Sequence, residues 1–323
     1  LLLFFFIKIL NIINLIDYPD KRKKHEIKTP LVGGLSIFIT LFILFIISDN
    51  LEFFNIIILS TFLILLIGFF DDKYQLSAYL RLIFQLIIIS LIVSSGIHIY
   101  DLGKYYKFSQ IELGVFKIFL TFLAVMCLTN AFNFIDGLDG LASGLGIISI
   151  SSFLFFNYFL SDYLIENALI YIFILNLSLF FITNIFNYNP LKSFLGDAGS
   201  TSIGFFISWI LIFYTMPENR IIHPVLTIWC ITLPIYEFLA VILRRIFLNK
   251  NPFSPDNLHI HHKLISIGFS KYLALTLLLC LALFFNLLGL VIFEIFGPSM
   301  TLISYVILFI FYYIFCEKIL KSK

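Results

Sequence analysis

Long apolar runs, separated by short polar loops, follow one another along almost the whole of this chain. A helix needs about 20 mostly apolar residues to cross the roughly 30 Å hydrocarbon core of a bilayer. Between the fourth and fifth runs, Gly103 and Gly114 bracket a polar stretch that suits a small hairpin. Eleven runs are present, the first and eighth of them short, near residues 1–16, 31–48, 53–70, 80–97, 114–132, 141–160, 167–186, 200–215, 222–245, 272–294 and 298–316. They predict an all-α polytopic membrane protein with ten or eleven transmembrane helices, built as a single integral-membrane domain over residues 1–323.

The composition excludes a water-soluble alternative. Of the 323 residues, 61% are hydrophobic and 12% are charged, whereas soluble domains are about 45–50% apolar and about 25% charged. The 41 Phe residues are too many to bury in a soluble core of this size. A formal net charge of +2 is too small to indicate nucleic-acid binding, so a membrane function is expected.

Basic residues are distributed unevenly between the two sets of alternating loops. Cytoplasmic loops of membrane proteins are enriched in Lys and Arg. If the connections alternate sides, one side holds sixteen basic residues and the other holds only Lys104, Lys107, Lys117 and Arg220. This asymmetry predicts an N-terminus outside the cell and a C-terminus in the cytoplasm.

Five Asp residues lie at the ends of apolar runs, where a carboxylate is costly and therefore usually functional. Asp71 and Asp72 follow the run LILLIGFF, Asp136 and Asp139 lie in NAFNFIDGLDG, and Asp197 lies in FLGDAGS. In the predicted topology these three connections face the cytoplasm, together with the basic loop DYPDKRKKHEIKTPLVGG and the histidine loop PFSPDNLHIHH. The polar segments are thus expected to gather on one face of the membrane.

These residue types suit metal-assisted phosphoryl transfer. Carboxylate and amide oxygens are the ligands that Mg²⁺ and Mn²⁺ prefer, and Mg²⁺ usually takes further ligands from substrate phosphates. Lys, Arg and His side chains bind anionic phosphates, and glycines beside the acids allow close approach of a ligand to the backbone. Each motif alone has a simpler interpretation: DD and DGLDG as turns, KRKK as a membrane anchor, and HIHH as a zinc site. Only their combination favours phosphoryl transfer.

Five segments together resemble a known family of membrane enzymes. In chain order they are DYPDKRKKHEIKTPLVGG, GFFDDKYQLSAYLRLIFQ, TNAFNFIDGLDGLASG, FLGDAGSTSIGF and RRIFLNKNPFSPDNLHIHH. The chain is similar to the polyprenyl-phosphate N-acetylhexosamine-1-phosphate transferases, and most of all to the bacterial members that use undecaprenyl phosphate and UDP-GlcNAc. The resemblance implies eleven helices in the bacterial inner (plasma) membrane, with the active site on the cytoplasmic face.

The resemblance also implies a reaction. The phosphate of undecaprenyl phosphate would attack the β-phosphorus of a UDP-N-acetylhexosamine, giving undecaprenyl-diphospho-sugar and UMP. This step begins the synthesis of a cell-envelope polysaccharide such as the O-antigen of lipopolysaccharide. The implied partners are the UDP-sugar, the polyprenyl phosphate, the lipid bilayer and a second copy of the chain in a homodimer.

A metal site and a catalytic group are implied by the same resemblance. Asp197 would bind Mg²⁺, or Mn²⁺ in its place, with Asn133 as a second ligand. Asp71 and Asp72 match the family's acidic pair, and Asp71 would act as a base on the lipid phosphate, although such a phosphate is largely ionised at pH 7. The other residues implied in catalysis are Asp136 and the three histidines near the diphosphate or sugar, His259, His261 and His262.

A substrate-binding set follows from the resemblance as well. Asp139, with Gly137 and Leu138, would lie at the uracil, and Phe194 would stack on the uracil ring. Asn133 would belong to this set in addition to the metal site. The basic side chains expected to hold phosphate are Lys24, Arg244 and Arg245.

The chain departs from the family pattern at three places. Glu237, in LPIYEF, stands where relatives usually carry Asp, which puts a fixed metal or hydrogen-bond role there in doubt. Relatives that transfer phospho-MurNAc-pentapeptide have three consecutive histidines and usually a Lys three places after the acidic pair. This chain has HIHH, and Gln75 follows the pair at that distance, so an unmodified N-acetylhexosamine is favoured over the pentapeptide substrate.

Three functions of other classes compete with this one. An ion-coupled transporter would place acids in mid-span on helices related by a repeat, and no repeat is visible here. A CDP-alcohol phosphatidyltransferase would need an Arg shortly after the D-G pair and two further spaced Asp residues, which GLDGLASGLG lacks. A non-catalytic scaffold gives no reason for the polar loops to converge.

Overall fold

The computed structural model describes residues 16–17, 29–47, 54–105, 110–161, 164–165, 167–186, 192–251 and 259–321. In this part of the chain, two short antiparallel hairpins accompany a bundle of helices. The strands are β1 (Ile16–Asp17), β2 (Thr29–Pro30), β3 (Asp101–Lys104) and β4 (Gln110–Glu112). The helices are α1 (Gly33–Ile47), α2 (Asn55–Tyr74), α3 (Ala78–Ser94), α4 (Phe116–Ile135), α5 (Leu141–Ser161), α6 (Ala168–Ile185), α7 (Gly196–Phe213), α8 (Pro224–Cys230), α9 (Thr232–Phe247), α10 (Ile260–Ser266) and α11 (Lys271–Lys321).

The all-α polytopic class is confirmed. Ten of the eleven predicted apolar runs coincide with helices, while the run near 1–16 lies almost wholly outside the described residues. By length and composition, six of the described helices can cross a membrane, or seven if α8 and α9 form one bent span. This number is smaller than the number of runs because α1 and α3, with 15 and 17 residues, are shorter than a full crossing requires, and because two runs fall in α11.

Helix α11 joins two apolar runs in one element of 51 residues. A helix of that length would extend about 75 Å, more than twice the thickness of a hydrocarbon core. Gly297 interrupts it with a positive φ of 76°, which glycine adopts at little cost, and Pro298 opens the helix that follows. The break lies between the predicted runs 272–294 and 298–316.

Helices α8 and α9 are bent by 76° at a single residue, Ile231, where one continuous span was expected. Pro234 has no backbone N–H, so it cannot donate to the carbonyl of Cys230, four residues earlier. Asn286 of α11 donates to that carbonyl instead, at 3.2 Å, and also to the hydroxyl of Ser152, at 2.9 Å. The bend is therefore held by a side chain of another helix.

Helix α7 is the centre of the bundle, and every residue from Ala198 to Phe213 is buried. Small residues let its neighbours approach closely. A Cβ added at Gly68 of α2 would overlap the backbone of Ala198, and a Cβ added at Gly34 of α1 would overlap the backbone of Gly199. These close contacts fix the beginning of α1 and the last part of α2 against the beginning of α7.

The β3–β4 hairpin closes the opposite end of the bundle and confirms the hairpin expected near Gly103 and Gly114. Asp101 accepts hydrogen bonds from Gln110 Nε2 at 2.6 Å, from Arg220 Nη2 at 2.5 Å and from the backbone N–H of Gly103 at 2.8 Å. Burial alone would raise the pKa of Asp101, but these bonds hold it below its usual value. This end therefore carries a satisfied ionic cluster of its own.

We expect Gly68→Ala to lower the melting temperature in detergent by several degrees. The added methyl would force α2 away from the backbone of α7, and such overpacking costs about 1–3 kcal/mol. Leu63→Ala, on an exposed position of the same helix, is the control and should have a smaller effect. Equal melting temperatures for Gly68→Ala and the wild type would contradict the proposed contact.

Candidate active site

One end of the bundle brings together the end of α2, the end of α4 and the beginning of α7. Helix α7 begins without a side-chain cap from its own N-cap residue, Leu195. Asp72 of α2 supplies the missing acceptors, because its carboxylate accepts from the backbone N–H of Asp197 at 2.9 Å and of Ala198 at 3.1 Å. The first N–H groups of a helix need such acceptors, and a negative charge there is favourable. Asp72 thus fixes the position of Asp197 from 125 residues away in sequence.

An arginine that the motifs did not single out lies between two of the predicted acids. Arg81 Nη1 donates to Asp71 Oδ2 at 2.7 Å and lies 3.5 Å from Asp197 Oδ2. Helix α2 ends at Tyr74, and α3 begins at Ala78, after three connecting residues. The last of these is Ser77, whose hydroxyl accepts from the backbone N–H of Leu80. This tight connection turns the second turn of α3 back toward Asp71. The spacing of ten residues between Asp71 and Arg81, across a short turn, is the signal that sequence reasoning missed.

Asn133 and Asp197, the two predicted metal ligands, are in direct contact. The amide of Asn133 donates to Asp197 Oδ1 at 2.8 Å and to Ser200 Oγ at 3.2 Å. The side chain of Asp197 is 42% exposed, so its carboxylate is accessible to a ligand, whereas that of Asp71 is buried. The carboxylate oxygens of Asp197 are therefore open to a ligand, while the neighbouring carboxylate of Asp71 is not.

These donors fit a magnesium ion by their chemistry. Mg²⁺ usually binds to one or two carboxylates and completes its octahedron with water and substrate phosphates. Within the described ranges, no group of three or more His, Cys, Asp or Glu side chains is arranged to hold a metal by itself. The site resembles an incomplete set of hard ligands rather than a closed structural metal site.

The DGLDG segment connects α4 and α5 beside these acids. Burial and the carboxylates of Asp197, Asp139 and Asp72 raise the pKa of Asp136 well above its usual value. Gly137 is exposed and Leu138 is buried, so a ligand could reach the backbone of this turn at Gly137. Asp136 thus interacts electrostatically with Asp72 and Asp197 on the neighbouring helices and with Asp139 of its own turn.

The histidine segment packs against that turn. His261 is buried, and a Cβ added at Gly137 would overlap its Nε2 atom. Neither ring nitrogen of His261 has a hydrogen-bond partner among the described residues, and burial lowers its pKa well below the usual value. The rings of His259 and His262 lie 5.5 Å and 4.2 Å from that of His261. The three histidines form one cluster, as their motif predicted.

Phe134 connects this cluster to the basic end of α9. The guanidinium of Arg245 lies 5.1 Å from the centre of the Phe134 ring, and the ring of His259 meets the same Phe134 ring edge-on, with the ring centres 6.0 Å apart. Arg244 is turned toward α11, where its Nε donates to Glu317 Oε1 at 2.7 Å. Arg245 is thus the arginine of the pair that lies next to the DGLDG turn.

Phe194 and Lys24 are the remaining predicted site residues. Phe194 lies three residues before Asp197, with its backbone N–H bonded to the carbonyl of Pro30 and its carbonyl bonded to Gly33. The segment before α7 is thereby tied to β2 and to the start of α1. Lys24 lies outside the described residues.

A comparison with protein families gives one match. The family model described as Glycosyl transferase family 4 matches residues 54–215. This range extends from the residue before α2 to just beyond α7, so it includes all five of the predicted site acids.

Curated relatives match most of the chain. An undecaprenyl-phosphate alpha-N-acetylglucosaminyl 1-phosphate transferase of Escherichia coli (strain K12) is 32% identical over an aligned length of 328 residues, 98% of this chain and 88% of that protein. A protein of the same name from Yersinia pestis is 31% identical over 317 residues, 95% of this chain and 85% of its own. A probable undecaprenyl-phosphate N-acetylglucosaminyl 1-phosphate transferase of Bacillus subtilis (strain 168) is 32% identical over 284 residues, 87% of this chain and 78% of its own.

We expect Gly137→Ala to displace His261, because the new methyl would occupy the position of the imidazole Nε2. The measurement is the rate at which diethyl pyrocarbonate modifies His261, followed by mass spectrometry. The buried ring should react slowly in the wild type and faster in the variant. Gly144→Ala is the control, since its Cβ would meet only the ends of the Leu279 and Phe181 side chains. Equal modification rates in all three proteins would show that the contact does not hold His261.

Proposed function

Because the chain belongs to glycosyl transferase family 4, we propose that it transfers GlcNAc-1-phosphate from UDP-GlcNAc to undecaprenyl phosphate. The names of relatives that are 31–32% identical to this chain, and that it matches over 85–88% of their length, support this reaction. The observation that carries the proposal is the meeting of Asp197, Asn133, Asp71 and Arg81 at one end of an apolar helix bundle. This arrangement joins cation ligands and a phosphate-binding group at a membrane surface.

The reaction exchanges one phosphoanhydride bond for another. An oxygen of the lipid phosphate forms a bond to the β-phosphorus of UDP-GlcNAc, and the bond from that phosphorus to the bridging oxygen breaks. The products are undecaprenyl-diphospho-GlcNAc and UMP, which carries away the bonding electrons and the negative charge. Positioning and electrostatic stabilisation are the main contributions that a protein makes to such a reaction.

Asp197 and Asn133 would hold Mg²⁺, or Mn²⁺ in its place. When bound, the ion would neutralise charge on the diphosphate and on the departing UMP. The hard oxygen donors and the exposed carboxylate of Asp197 support this assignment. The carboxylate of Asp72 keeps Asp197 in place through the backbone of α7.

Arg81 would bind the phosphates directly. One of its nitrogen atoms is bonded to Asp71, and its planar guanidinium has further N–H groups that suit an anionic phosphate. In this arrangement Asp71 orients Arg81, a role that needs no proton transfer to a carboxylate from a phosphate already ionised at pH 7. The assignment of Asp71 as a base therefore stays a prediction.

The nucleotide and the sugar would lie on the side of the DGLDG turn. Phe194 would stack on the uracil, with Gly137, Leu138 and Asp139 at its edge, while the histidine cluster and Arg245 would face the diphosphate or sugar. Gly137 is exposed, and the buried imidazole of His261 beside it has no hydrogen-bond partner among the described residues; both observations support a ligand at this place. Arg244 and Lys24 complete the proposed set of phosphate-binding residues, with Asp136 between the two halves of the site.

The chain is a multi-pass membrane protein, and we place its active end at the cytoplasmic face of the bacterial inner membrane. The excess of basic residues in the loops assigned to that side supports this orientation. The acids meet at the ends of helices, not in mid-span, so an ion-coupled transporter is not favoured. The homodimer implied by the resemblance stays a prediction that chemical crosslinking in membranes tests.

The purified protein should convert UDP-GlcNAc and undecaprenyl phosphate to undecaprenyl-diphospho-GlcNAc and UMP in the presence of Mg²⁺. Removal of the metal with EDTA should abolish the reaction, and added Mg²⁺ should restore it. Asp197→Asn should lower turnover by at least about 100-fold and weaken Mn²⁺ binding measured by electron paramagnetic resonance.

A panel of UDP-N-acetylhexosamines and UDP-MurNAc-pentapeptide tests the donor. Transfer from the pentapeptide donor alone would overturn the proposal, and unchanged Mn²⁺ binding would overturn the metal assignment.

Phe194→Ala should raise the KM for UDP-GlcNAc by about tenfold and leave the KM for undecaprenyl phosphate nearly unchanged. The reason is that loss of an aromatic stacking partner costs about 1 kcal/mol or more. Phe194→Tyr retains the ring and is the matched control, which should behave like the wild type. An unchanged KM for the nucleotide sugar in the alanine variant would contradict the stacking role.

A further inference from the structure

Glu237 is a buried carboxylate that joins three segments of the chain. It lies on α9 and is 1% exposed. Its Oε1 atom accepts from the backbone N–H of Ile260 at 2.9 Å, and its Oε2 atom accepts from the hydroxyl of Tyr312 at 2.7 Å. The Nδ1 atom of His259 lies 3.5 Å from Oε1. Glu237 thus contacts the start of α10 and the last part of α11 at the same time.

A buried charge is costly unless hydrogen bonds compensate its desolvation. Here each carboxylate oxygen accepts a hydrogen bond, and such bonds to a charged acceptor are among the stronger ones in proteins. Ile260 is the first residue of α10, and its N-cap residue His259 makes no side-chain cap bond. Glu237 therefore supplies an acceptor that the short helix lacks within its own sequence.

The bond to Ile260 acts on the histidine cluster. Ile260 lies in sequence between His259 and His261, so fixing its N–H fixes the backbone that carries both imidazoles. His261 in turn packs on Gly137 of the DGLDG turn. A continuous set of contacts therefore connects Tyr312, Glu237, the histidine segment and that turn.

A second polar contact supports the same junction. Arg244 lies two turns after Glu237 on α9, and its Nε donates to Glu317, five residues after Tyr312 on α11. The last part of α11 is thus joined to α9 at two levels. This support is independent of the apolar packing between the two helices.

We propose that Glu237 is a positioning residue, which together with Tyr312 holds the histidine segment His259–His262 against the DGLDG turn. The carboxylate is long enough to reach the Ile260 N–H on one side and the Tyr312 hydroxyl on the other. The catalytic consequence rests on the proposed function, because the histidines are placed at the diphosphate or sugar there. The positional consequence does not depend on the reaction.

The test compares three single variants of the protein, and the double variant Glu237→Gln/Tyr312→Phe, with the wild type. Tyr312→Phe removes one hydroxyl and keeps the ring, and Glu237→Gln keeps the shape of the side chain but removes its charge. Tyr305→Phe is the matched control on the same helix, since its hydroxyl has no hydrogen-bond partner among the residues that the structure describes. Hydrogen–deuterium exchange of the peptide containing residues 259–267 reports on the segment, and steady-state kinetics give kcat and KM separately.

We expect Tyr312→Phe and Glu237→Gln to speed exchange in this peptide and to lower kcat by about tenfold, with the KM values changed by no more than about twofold. The double variant should be no worse than Glu237→Gln alone, because both changes break one connected set of bonds. Tyr305→Phe should match the wild type in exchange and in kinetics.

Three results would overturn the inference: wild-type exchange in Tyr312→Phe, equal effects of Tyr305→Phe and Tyr312→Phe, or full additivity in the double variant. Because Tyr312→Phe is a mild change, it keeps the test decisive if Glu237→Gln does not fold. Absence of transfer by the wild-type protein would count against the proposed function, while the exchange experiment would still decide the role of Glu237.

Discussion

The geometry of the site depends on the hydrogen bonds from the backbone N–H groups of Asp197 and Ala198 to the carboxylate of Asp72. They join the end of one helix to the beginning of another, so the charge at the end of α2 meets the partial positive charge of α7. The close approach of Gly68 to Ala198 makes this joint short enough to form. With α7 held in this way, the Asp197 side chain lies beside Asn133 and near Arg81. Removing the joint would free the residue that the other polar groups surround.

The same joint explains how several acids can share one end of the bundle. Like charges in a partly buried place repel each other, and the raised pKa of Asp136 records that repulsion together with the effect of burial. Two of the acids accept hydrogen bonds from within the protein, Asp72 from backbone N–H groups and Asp71 from Arg81. The side chain of Asp197 is 42% exposed, whereas that of Asp71 is 4% exposed, so a cation could reach the Asp197 carboxylate. The accessible carboxylate of Asp197 is therefore the position at which we propose that a cation binds.

The sequence predicted the helices and the set of site residues better than it predicted their contacts. Hydropathy located the apolar runs because burial in lipid depends on composition alone, yet it could not find the bend at Ile231, since the run continues unbroken on both sides. The motifs placed Asp72 and Asp197 on one face of the membrane, but a hydrogen bond between residues so distant in sequence leaves no local pattern. The sequence indicated Arg81 only as a basic residue of a loop. The close contact between Gly137 and His261 depends on how α10 packs against the DGLDG turn, which the sequence does not show. The side of the membrane that each end faces stays a prediction.

The bend between α8 and α9 has a consequence for how the basic end of α9 meets a ligand. A proline break often acts as a hinge, because the freed carbonyl bonds to nothing fixed. Here the carbonyl of Cys230 is bonded to Asn286, which also holds Ser152 of a third helix, so three elements share the corner. We therefore expect this corner to hold α9 at a fixed angle, and with it the position of Arg245 at the end of that helix. A substrate that binds there need not first immobilise the helix, so less of its binding free energy is lost in ordering the protein.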